Sequence, residues 1–487
     1  MRRREFLKRS SLSALYAWAG SSSIMTACHT EEDMIGKPGW IDNGAFDRPL
    51  HMLPVSAGNA ALNASLTTTE ILKGASSDSF SYAGQILGPT IVANTGEIRD
   101  VSLLNNLAED TNIHWHGLIL PENMDGHPRN VAAPGESLYY SLPVSQRAGT
   151  YWYHPHAHGR TARQVFMGLA GMFIVRDREE AALNLPSGAY EIPLIIQDKH
   201  FSGGNLDYSP TGEEIMTGYL GETVLVNGIH APYLDVKSGW YRFRILNGST
   251  ARVYNIGFSG GVQFHLIGAD GGLLRVAETL SSLLLGPGER MDIVVNFSGL
   301  QAGKEIYLIS NAFLDYGPQG RQSFRIMKIV VNGQAGSDFV LPGTLSAIPS
   351  PDPASAVNVR VFDIAEMQSG GHRGMARHTI NGKVFDIDRV DETVGAGTTE
   401  IWEFDNLEGD EIHPMHIHGV QFQVLERIGG RKKLIASEKG WKDTVLVMPG
   451  EKVRVIMTFP SYTGVFVLHC HNLEHEDDGM MLNYQIA

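Results

Sequence analysis

The chain is poor in cysteine and in positive charge, and each shortage narrows what the protein can be. Among its 487 residues there are only two cysteines, Cys28 and Cys470, and each lies in a motif with another use, so a disulfide framework is not expected. Lysine and arginine number 39 against 53 aspartates and glutamates, which gives a formal net charge of -14. Because phosphate backbones attract positive charge, a surface this acidic argues against nucleic acid as a partner.

Long apolar runs are also scarce, and the one candidate lies near the N-terminus. The run at residues 11–24 is too short and too rich in serine and glycine to span a membrane. It follows Arg-Arg-Glu-Phe-Leu-Lys at residues 3–8, which is typical of a twin-arginine export signal; a disordered basic tail is the alternative. We therefore predict a signal over residues 1–28, the twin-arginine export machinery as a partner, and a location in the periplasm or another exported part of the cell envelope.

The end of this predicted signal is similar to a lipobox, the cleavage site of bacterial lipoproteins. Residues 25–28 read Met-Thr-Ala-Cys, with methionine in place of the usual leucine. A lipid on Cys28 would anchor a soluble protein to a membrane surface without a spanning segment. Simple cleavage near Ala27, with Cys28 incidental, is the alternative.

Glycine, in contrast, is abundant, and a short motif built on it recurs three times. The sequence contains 54 glycines, and Pro-Gly-Glu occurs at residues 134–136, 287–289 and 449–451. Each copy opens a segment of alternating polarity, as a turn does before a strand, and follows an earlier strand that ends in asparagine. The copies lie roughly 150 to 160 residues apart, which is the size of a domain. The chain is therefore predicted to contain a domain repeated three times.

The repeat and the turn-rich composition together predict the fold class. Short strands separated by glycine and proline turns are typical of all-β Greek-key sandwiches or barrels. We place the three domains at residues 45–180, 188–335 and 357–487. A linker rich in proline and serine is predicted over residues 336–356.

Histidines are concentrated in the first and third repeats. Ten of the 19 lie at residues 114–116, 154–156, 413–418 and 469–475, and the middle repeat has none at equivalent positions. In a strand, residues i and i+2 face the same side, so each His-x-His pair presents two imidazoles about 6–7 Å apart. Eight such imidazoles are too many for one metal ion and fit a cluster of two or three. A cluster built from imidazoles of the first and third units requires these two units to be in contact. The eight are His114, His116, His154, His156, His416, His418, His469 and His471.

The same alternation assigns Cys470 to a second site. If His469 and His471 face the cluster, Cys470 points to the opposite side, where His413, His475 and Met480 complete its surroundings. Two histidines, one cysteine and an axial methionine form the ligand set of a blue copper site. Zinc is the main competing metal, but its structural sites use more cysteines and no axial methionine. One strand segment would thus connect two metal centres for electron transfer.

These four histidine stretches resemble the copper-binding motifs of the multicopper oxidases, and the resemblance runs from about residue 88 to the C-terminus. It is nearest to the three-domain bacterial laccase and cuprous-oxidase group. The resemblance implies three cupredoxin-like Greek-key β-barrel domains, the middle one without copper ligands, and four copper ions. It also implies one-electron oxidation of a donor at type 1 copper, coupled to four-electron reduction of dioxygen to water at a trinuclear cluster.

The resemblance also distributes the ligands by position. It implies His413, Cys470, His475 and Met480 for the type 1 copper, and His114 and His416 for the type 2 copper. For the type 3 pair it implies His116, His154, His156, His418, His469 and His471.

Four acids are further candidates. Asp125 and Glu476 match the family's proton-relay positions, and acids beside a metal cluster are suitable proton donors; for Asp125 an ordinary turn residue is the alternative. Asp410 and Glu411 directly precede His413. They are candidate substrate-binding residues that would accept a proton from a phenol or bind a cation, whereas solvent-facing loop acids are the alternative.

The donor is less closely specified by the sequence. Cuprous-oxidase relatives have a methionine-rich insert, but here residues 363–378 contain only Met367 and Met375. We therefore expect a laccase-like enzyme, acting as a monomer on phenolic or aromatic donors or on metal ions. A cuprous oxidase of copper homeostasis, a copper-storage protein and a non-enzymatic periplasmic or cell-division protein of the same fold are the alternatives. A two-domain copper nitrite reductase would lack the third repeat.

Overall fold

The structure is a computed structural model that describes residues 40–41, 44–313, 317–367 and 377–487. The predicted export signal and the lipobox at Cys28 lie outside these residues, as does Met375. Strands account for 49% of the structure and helices for 10%, which confirms the predicted all-β class. No helix in the described part of the chain is long and apolar enough to cross a membrane.

The first unit contains two sheets. One has the strand order β3-β6-β11-β10-β8 and the other β5-β4-β7-β9. Two short strands that precede them pair instead with strands of the middle unit. The strands are β1 (Trp40–Ile41), β2 (Arg48–Pro49), β3 (Val55–Ser56), β4 (Ala60–Leu72), β5 (Ala75–Ser81), β6 (Thr90–Asn94), β7 (Ile98–Asn105), β8 (His114–His116), β9 (Ser137–Pro143), β10 (Gly149–His154) and β11 (Gly171–Arg176), and the helices are α1 (Glu122–Asp125), α2 (Thr161–Met167) and α3 (Arg178–Ala182).

The middle unit contains two larger sheets and a two-stranded ribbon. The sheets have the orders β16-β15-β12-β18-β23-β20-β21 and β2-β17-β25-β24-β19-β22, with β1 added on β25, and the ribbon is β13-β14. Its elements are a 3₁₀ turn at Gly188–Tyr190, β12 (Glu191–Lys199), β13 (Phe201–Ser202), β14 (Asn205–Leu206), α4 (Gly212–Thr217), β15 (Thr223–Val226), β16 (Ile229–His230), β17 (Pro232–Ser238), β18 (Trp240–Asn247), β19 (Tyr254–Phe258), a 3₁₀ turn at Ser259–Gly261, β20 (Phe264–Ala269), β21 (Gly272–Leu280), β22 (Ser282–Leu285), β23 (Arg290–Asn296), β24 (Glu305–Ser310), α5 (Gly317–Arg321) and β25 (Ser323–Ala335).

The third unit contains two five-stranded sheets. Their orders are β27-β26-β29-β33-β31 and β28-β35-β34-β30-β32. The elements are a 3₁₀ turn at Pro353–Ser355, β26 (Asn358–Met367), β27 (Arg377–Ile380), β28 (Glu392–Val394), β29 (Thr399–Asn406), β30 (His413–Ile417), β31 (Phe422–Gly429), a 3₁₀ turn at Ala436–Lys439, β32 (Thr444–Val447), β33 (Glu451–Thr458), β34 (Gly464–Cys470), α6 (Leu473–Asp477) and β35 (Met481–Ile486).

The Pro-Gly-Glu repeat occupies the same place in all three units. It precedes the second strand of an antiparallel pair, which is β7 with β9, β18 with β23 and β29 with β33. The glycines at its centre, Gly135, Gly288 and Gly450, have φ values of 87°, 80° and 72°. This left-handed conformation favours glycine, because a side chain would meet its own backbone there. The repeated strand pair confirms the threefold repeat, whereas the exact domain boundaries stay a prediction.

Each unit has its own apolar core between its two sheets. Phe243 and Ile293 lie in the core of the middle unit, Leu103 and Phe173 in that of the first, and Phe404 in that of the third. Burial of each side chain of this size contributes about 1.5–3 kcal/mol to the free energy of folding. The three cores hold rigid the strands that carry the histidines.

Candidate metal centres

Four strands position the eight paired histidines: five lie in the strands, and His156, His418 and His471 follow within two residues of the ends of β10, β30 and β34. In the first unit β8 is antiparallel to β10, with His114 opposite His154. In the third unit β30 is antiparallel to β34, with His416 opposite His469. All eight imidazoles are at most 1% exposed. The two strand pairs face each other, so the first and third units meet at the histidines, as the repeat predicted.

Imidazoles of the two units approach one another closely across this interface. Nε2 of His114 lies 3.3 Å from Nε2 of His416. Nε2 of His469 lies 3.2 Å from Nε2 of His156 in the first unit, and within the third unit it lies 3.1 Å from Nε2 of His418. Five side chains from strands far apart in sequence thus direct the same ring nitrogen to one buried region.

Hydrogen bonds at the other ring nitrogen, Nδ1, determine which nitrogen of an imidazole carries the proton. Nδ1 of His114 lies 2.7 Å from the backbone oxygen of Asp125, and Nδ1 of His416 lies 2.8 Å from that of Asp443. A carbonyl oxygen can only accept, so Nδ1 carries the proton and Nε2 keeps its lone pair. Nδ1 of His418 is oriented by a side chain instead, 2.7 Å from Oδ2 of Asp125. Such partners are typical of metal-ligating histidines.

Most of these imidazoles are neutral at physiological pH. Burial, followed by repulsion from His156, lowers the pKa of His154 to about 3. Burial likewise lowers the pKa of His156 to about 4, although Glu476 opposes it. Buried neutral imidazoles with converging lone pairs are good ligands for a transition metal such as copper, and the donor set therefore fits a polynuclear copper site.

Cys470 lies on the other side of β34, where it faces two histidines. Its Sγ is 3.6 Å from Nδ1 of His413 and 3.7 Å from Nδ1 of His475. Met480 is buried, and its backbone is hydrogen-bonded to two of these residues. Its N–H donates to the His475 carbonyl, and its own carbonyl accepts from the Cys470 N–H. Burial raises the pKa of the Cys470 thiol, so a thiolate there needs a metal cation for compensation. Cys470, His413 and His475 therefore converge as the ligands of a blue copper site do, and the backbone hydrogen bonds hold Met480 beside them.

The two predicted relay acids are both buried against the histidines. Oδ2 of Asp125 contacts His418, and burial, then the nearby Glu122, raises the pKa of Asp125 well above its usual range. Glu476 places Oε2 3.1 Å from Nδ1 of His469 and Oε1 3.5 Å from Nδ1 of His156. Burial alone would raise the pKa of Glu476, but these two imidazoles lower it. The two carboxyl groups thus contact different imidazoles of the same cluster.

The two predicted substrate acids have different surroundings. Glu411 is 20% exposed, and its Oε2 lies 3.7 Å from Nε2 of His475 and 2.8 Å from Nε2 of His378. Asp410 is exposed, and its side chain makes no hydrogen bond or ion pair with the described residues. The structure therefore brings Glu411 to the cysteine site and leaves Asp410 on the loop, where its role stays a prediction.

Several residues near the sites were not predicted. His378 in β27 is buried and stacks on His475 with 3.8 Å between ring centroids, but a lone histidine gives no sequence signal. Met216 in α4 accepts a hydrogen bond from Nε2 of His475 at 2.9 Å through its backbone oxygen, which no side-chain motif reveals. Asp443 contacts Nε2 of His116 at 3.0 Å. It lies in Trp-Lys-Asp-Thr at residues 441–444, a segment that also resembles the multicopper oxidases and could have identified it.

Comparison with known proteins agrees with this arrangement. Family models described as "Multicopper oxidase" match residues 63–180, 201–327 and 357–487. A multicopper oxidase of Staphylococcus haemolyticus is 36% identical over 87% of each chain. A laccase of Bacillus subtilis is 34% identical over 82% of this chain and 89% of its own. A cell division protein, FtsP, of Xenorhabdus nematophila is 32% identical over 82% of each chain.

A solved structure is equally similar. The multicopper oxidase McoA from the hyperthermophile Aquifex aeolicus is 37% identical and superposes with a TM-score of 0.82, over 90% of this chain and 99% of that one. This similarity confirms the cupredoxin-like fold class. The chain therefore belongs to the multicopper oxidase family, whose members are copper-containing oxidoreductases that act with dioxygen.

Proposed function

We propose that the protein is a laccase-like oxidase with four copper ions, which takes electrons from small donors at the Cys470 site and uses them to reduce dioxygen to water at the histidine cluster. One observation carries the proposal: Cys470, which faces His413 and His475, is the last residue of β34 and lies between His469 and His471 of the cluster in the chain. Copper, when bound, supplies the one-electron transfers and the chemistry of dioxygen reduction. The strand provides a short covalent connection between the two sites.

The ligands are assigned to the four copper ions as the sequence suggested. The observations in support are the burial of every side chain concerned and the convergence of ring nitrogens described above. The type 1 ligands are His413, Cys470, His475 and Met480; the type 2 ligands are His114 and His416; and the type 3 ligands are His116, His154, His156, His418, His469 and His471.

Electrons would enter at the Nε2 edge of His475, where donor-binding groups are found. Glu411 and His378 lie beside this edge, and the Glu411 carboxylate can accept the proton that a phenol releases on oxidation. The same oxygen and nitrogen donors can hold a metal-ion donor, which keeps cuprous oxidation as the second candidate. They are harder than the thioethers that copper(I) prefers, so phenolic donors are favoured.

Protons for the reduction of dioxygen would pass through Asp125 and Glu476. Each carboxyl group is within hydrogen-bonding distance of one imidazole of the cluster, His418 for Asp125 and His469 for Glu476. Buried acids in such contact with a cluster can deliver protons where water has little access.

The cellular setting belongs to the proposal as well. The arginine pair and the cysteine at residues 1–28 support export by the twin-arginine machinery, a periplasmic or cell-envelope location and a lipid on Cys28. We propose a monomer. A cell-division role, as in the name of the FtsP relatives, is less favoured because the predicted ligand set is complete here.

Oxygen uptake by the copper-loaded protein tests the function. With a phenolic dye or copper(I) as the donor, we expect uptake together with the intense blue absorption of a copper thiolate. Cys470→Ser should remove the blue colour and abolish turnover, whereas Ser437→Ala, a buried serine outside both sites, should retain both. A blue protein that consumes no oxygen with any donor would contradict the proposal, and so would turnover by Cys470→Ser.

A further inference from the structure

The middle unit supplies no ligand, yet one of its turns lies against the histidine cluster. This is the Pro-Gly-Glu turn at residues 287–289, which precedes β23. A methyl group added at Gly288 would lie 3.0 Å from Cδ2 and Nε2 of His471 and 3.1 Å from Cε1 of His116. At the equivalent glycines of the other units, Gly135 and Gly450, a methyl group would meet nothing within 4 Å. The repeated turn is thus unobstructed at its glycine in the first and third units, and only in the middle unit does it lie against the cluster.

Arg290, the residue after this turn, is connected to the cluster through Asp443. Arg290 is fully buried and donates from Nη1 to Oδ1 of Asp443 at 2.7 Å and from Nη2 to Oδ2. Its remaining hydrogen bonds, to the carbonyls of Thr150, Gly288 and Asp270, fix the guanidinium in place. The paired geometry holds the carboxylate of Asp443 in a single orientation.

Asp443 in turn determines which nitrogen of His116 faces the cluster. Its Oδ1 lies 3.0 Å from Nε2 of His116, so a proton on Nε2 is favoured. Nδ1 of His116 is buried and has no hydrogen-bond partner within the described ranges. His114 and His416 have the reverse arrangement, with Nδ1 bonded and Nε2 free. His116 thus needs a different orienting partner from these two neighbours.

We propose that the middle unit completes the copper cluster: Gly288 leaves the space that His471 and His116 occupy, and Arg290 is a positioning residue that acts through Asp443 to present Nδ1 of His116. The inference rests on the proposed assignment of these histidines as copper ligands. It gives the unit without ligands a defined part in metal binding, since groups that orient a ligand typically change metal affinity about 10- to 100-fold.

The three repeated glycines provide a matched experiment on the copper-loaded protein. Gly135→Ala, Gly288→Ala and Gly450→Ala introduce the same backbone strain into the same turn, but only the second adds a methyl group beside the cluster. We expect Gly288→Ala to contain less copper per chain and to have an altered type 2 electron paramagnetic resonance signal, while the blue absorption of the Cys470 site is retained. Gly135→Ala and Gly450→Ala should keep the copper content and both signals.

A second pair of variants tests Arg290 and does not depend on the folding of Gly288→Ala. Arg290→Lys keeps the charge but loses the paired hydrogen bonds, and we expect copper transfer from the cluster to a chelator to be about 10- to 100-fold faster. Arg244→Lys is the control, because Arg244 is equally buried among carboxylates, but none of its carboxylate partners among the residues described, Glu180, Glu191 and Asp292, contacts a cluster histidine. Copper loss that is equal in the two lysine variants would overturn the proposal, as would equal copper and signals in the three alanine variants.

The outcome for the wild-type protein separates this inference from the proposed function. Wild-type protein that shows the blue absorption but no cluster signals would refute the ligand assignment itself, and the inference with it. The role of the middle unit alone would be refuted by a different set of results. In that case the wild-type protein has full copper and both signals, Gly288→Ala matches its controls, and Arg290→Lys loses copper slowly.

Discussion

Individual side chains surround His475, where we propose that the donor is oxidised. Nε2 of this histidine donates to the backbone oxygen of Met216, and the carboxylate of Glu411 lies 3.7 Å away. His378 stacks on the ring and bonds the same carboxylate. The edge of His475 is therefore surrounded by groups that can orient a donor and receive its proton, which makes Glu411 the residue to change first.

Replacing Glu411 by glutamine should slow the oxidation of phenols. The amide keeps the shape but cannot accept a proton, and general-base assistance is worth about 10²-fold at its lower limit. We expect kcat/KM for a phenolic donor to fall by about that factor, and kcat/KM for an inorganic one-electron donor that releases no proton to change little. Steady-state oxygen uptake with both donors measures the difference.

The loop before His413 supplies the control for this substitution. Glu408→Gln removes the same charge from an exposed position of that loop, and it should leave both kinetic constants near the wild-type values. Asp410→Asn then tests the second predicted acid. An equal loss with both donors in Glu411→Gln would show that Glu411 supports the His475 geometry and does not accept the proton.

At the scale of elements, helix α4 of the middle unit lies beside the His475 edge. Its N-terminus has a capping box, in which Thr211 Oγ1 accepts from the Glu214 N–H and the Glu214 side chain accepts from the Thr211 N–H. Its C-terminus is fixed by Gly218, where an added methyl group would lie 2.4 Å from Cβ of Ala251. A helix of six residues depends on such end contacts, because it has few internal hydrogen bonds.

Loosening α4 should therefore favour bulky donors. Thr211→Ala removes the cap at a cost of about 1 kcal/mol, which corresponds to about a fivefold increase in the ratio of unwound to intact α4. We expect kcat/KM for a bulky phenol to rise by up to about that factor relative to a small phenol. Thr211→Ser restores a good cap and should restore the wild-type ratio. If the ratio of the two donors is the same in all three proteins, α4 does not limit access.

The elements also show what the sequence could and could not predict. Strand alternation correctly separated Cys470 from His469, because it reports which residues of one strand share a face, although β34 ends before His471. It could not reveal Met216, Gly288 or Arg290, since these meet the sites across interfaces between units. The pairing of β2 with β17 of the middle unit is another contact between distant segments, and periodicity contains no information about such partners.

At the scale of the whole molecule, a buried group of charges joins the first and middle units. Arg176 of β11 pairs with Glu191 of β12, and Arg244 of β18 pairs with both Glu191 and Glu180. Arg242 and Asp292 complete the group. Removal of one partner from a buried ion pair strongly destabilises a protein, because it leaves the other partner charged and unpaired at a cost of about 3–5 kcal/mol.

This group of charges predicts how stability depends on acid. Burial would raise the pKa of Glu191, but Arg244, Arg176 and Arg242 lower it, and the pKa of Glu180 is also lowered. The stabilisation is thus complete above the unfolded-state pKa of about 4.3, and it is lost as pH falls toward the folded-state values, since the unfolded chain then binds more protons. We expect the free energy of unfolding to fall as pH decreases from about 5 to about 3, measured by denaturant titration at each pH. Glu191→Gln should be less stable at pH 7 and should show a shallower decline, whereas Glu408→Gln should follow the wild-type curve; parallel curves for Glu191→Gln and wild type would show that other groups control acid stability.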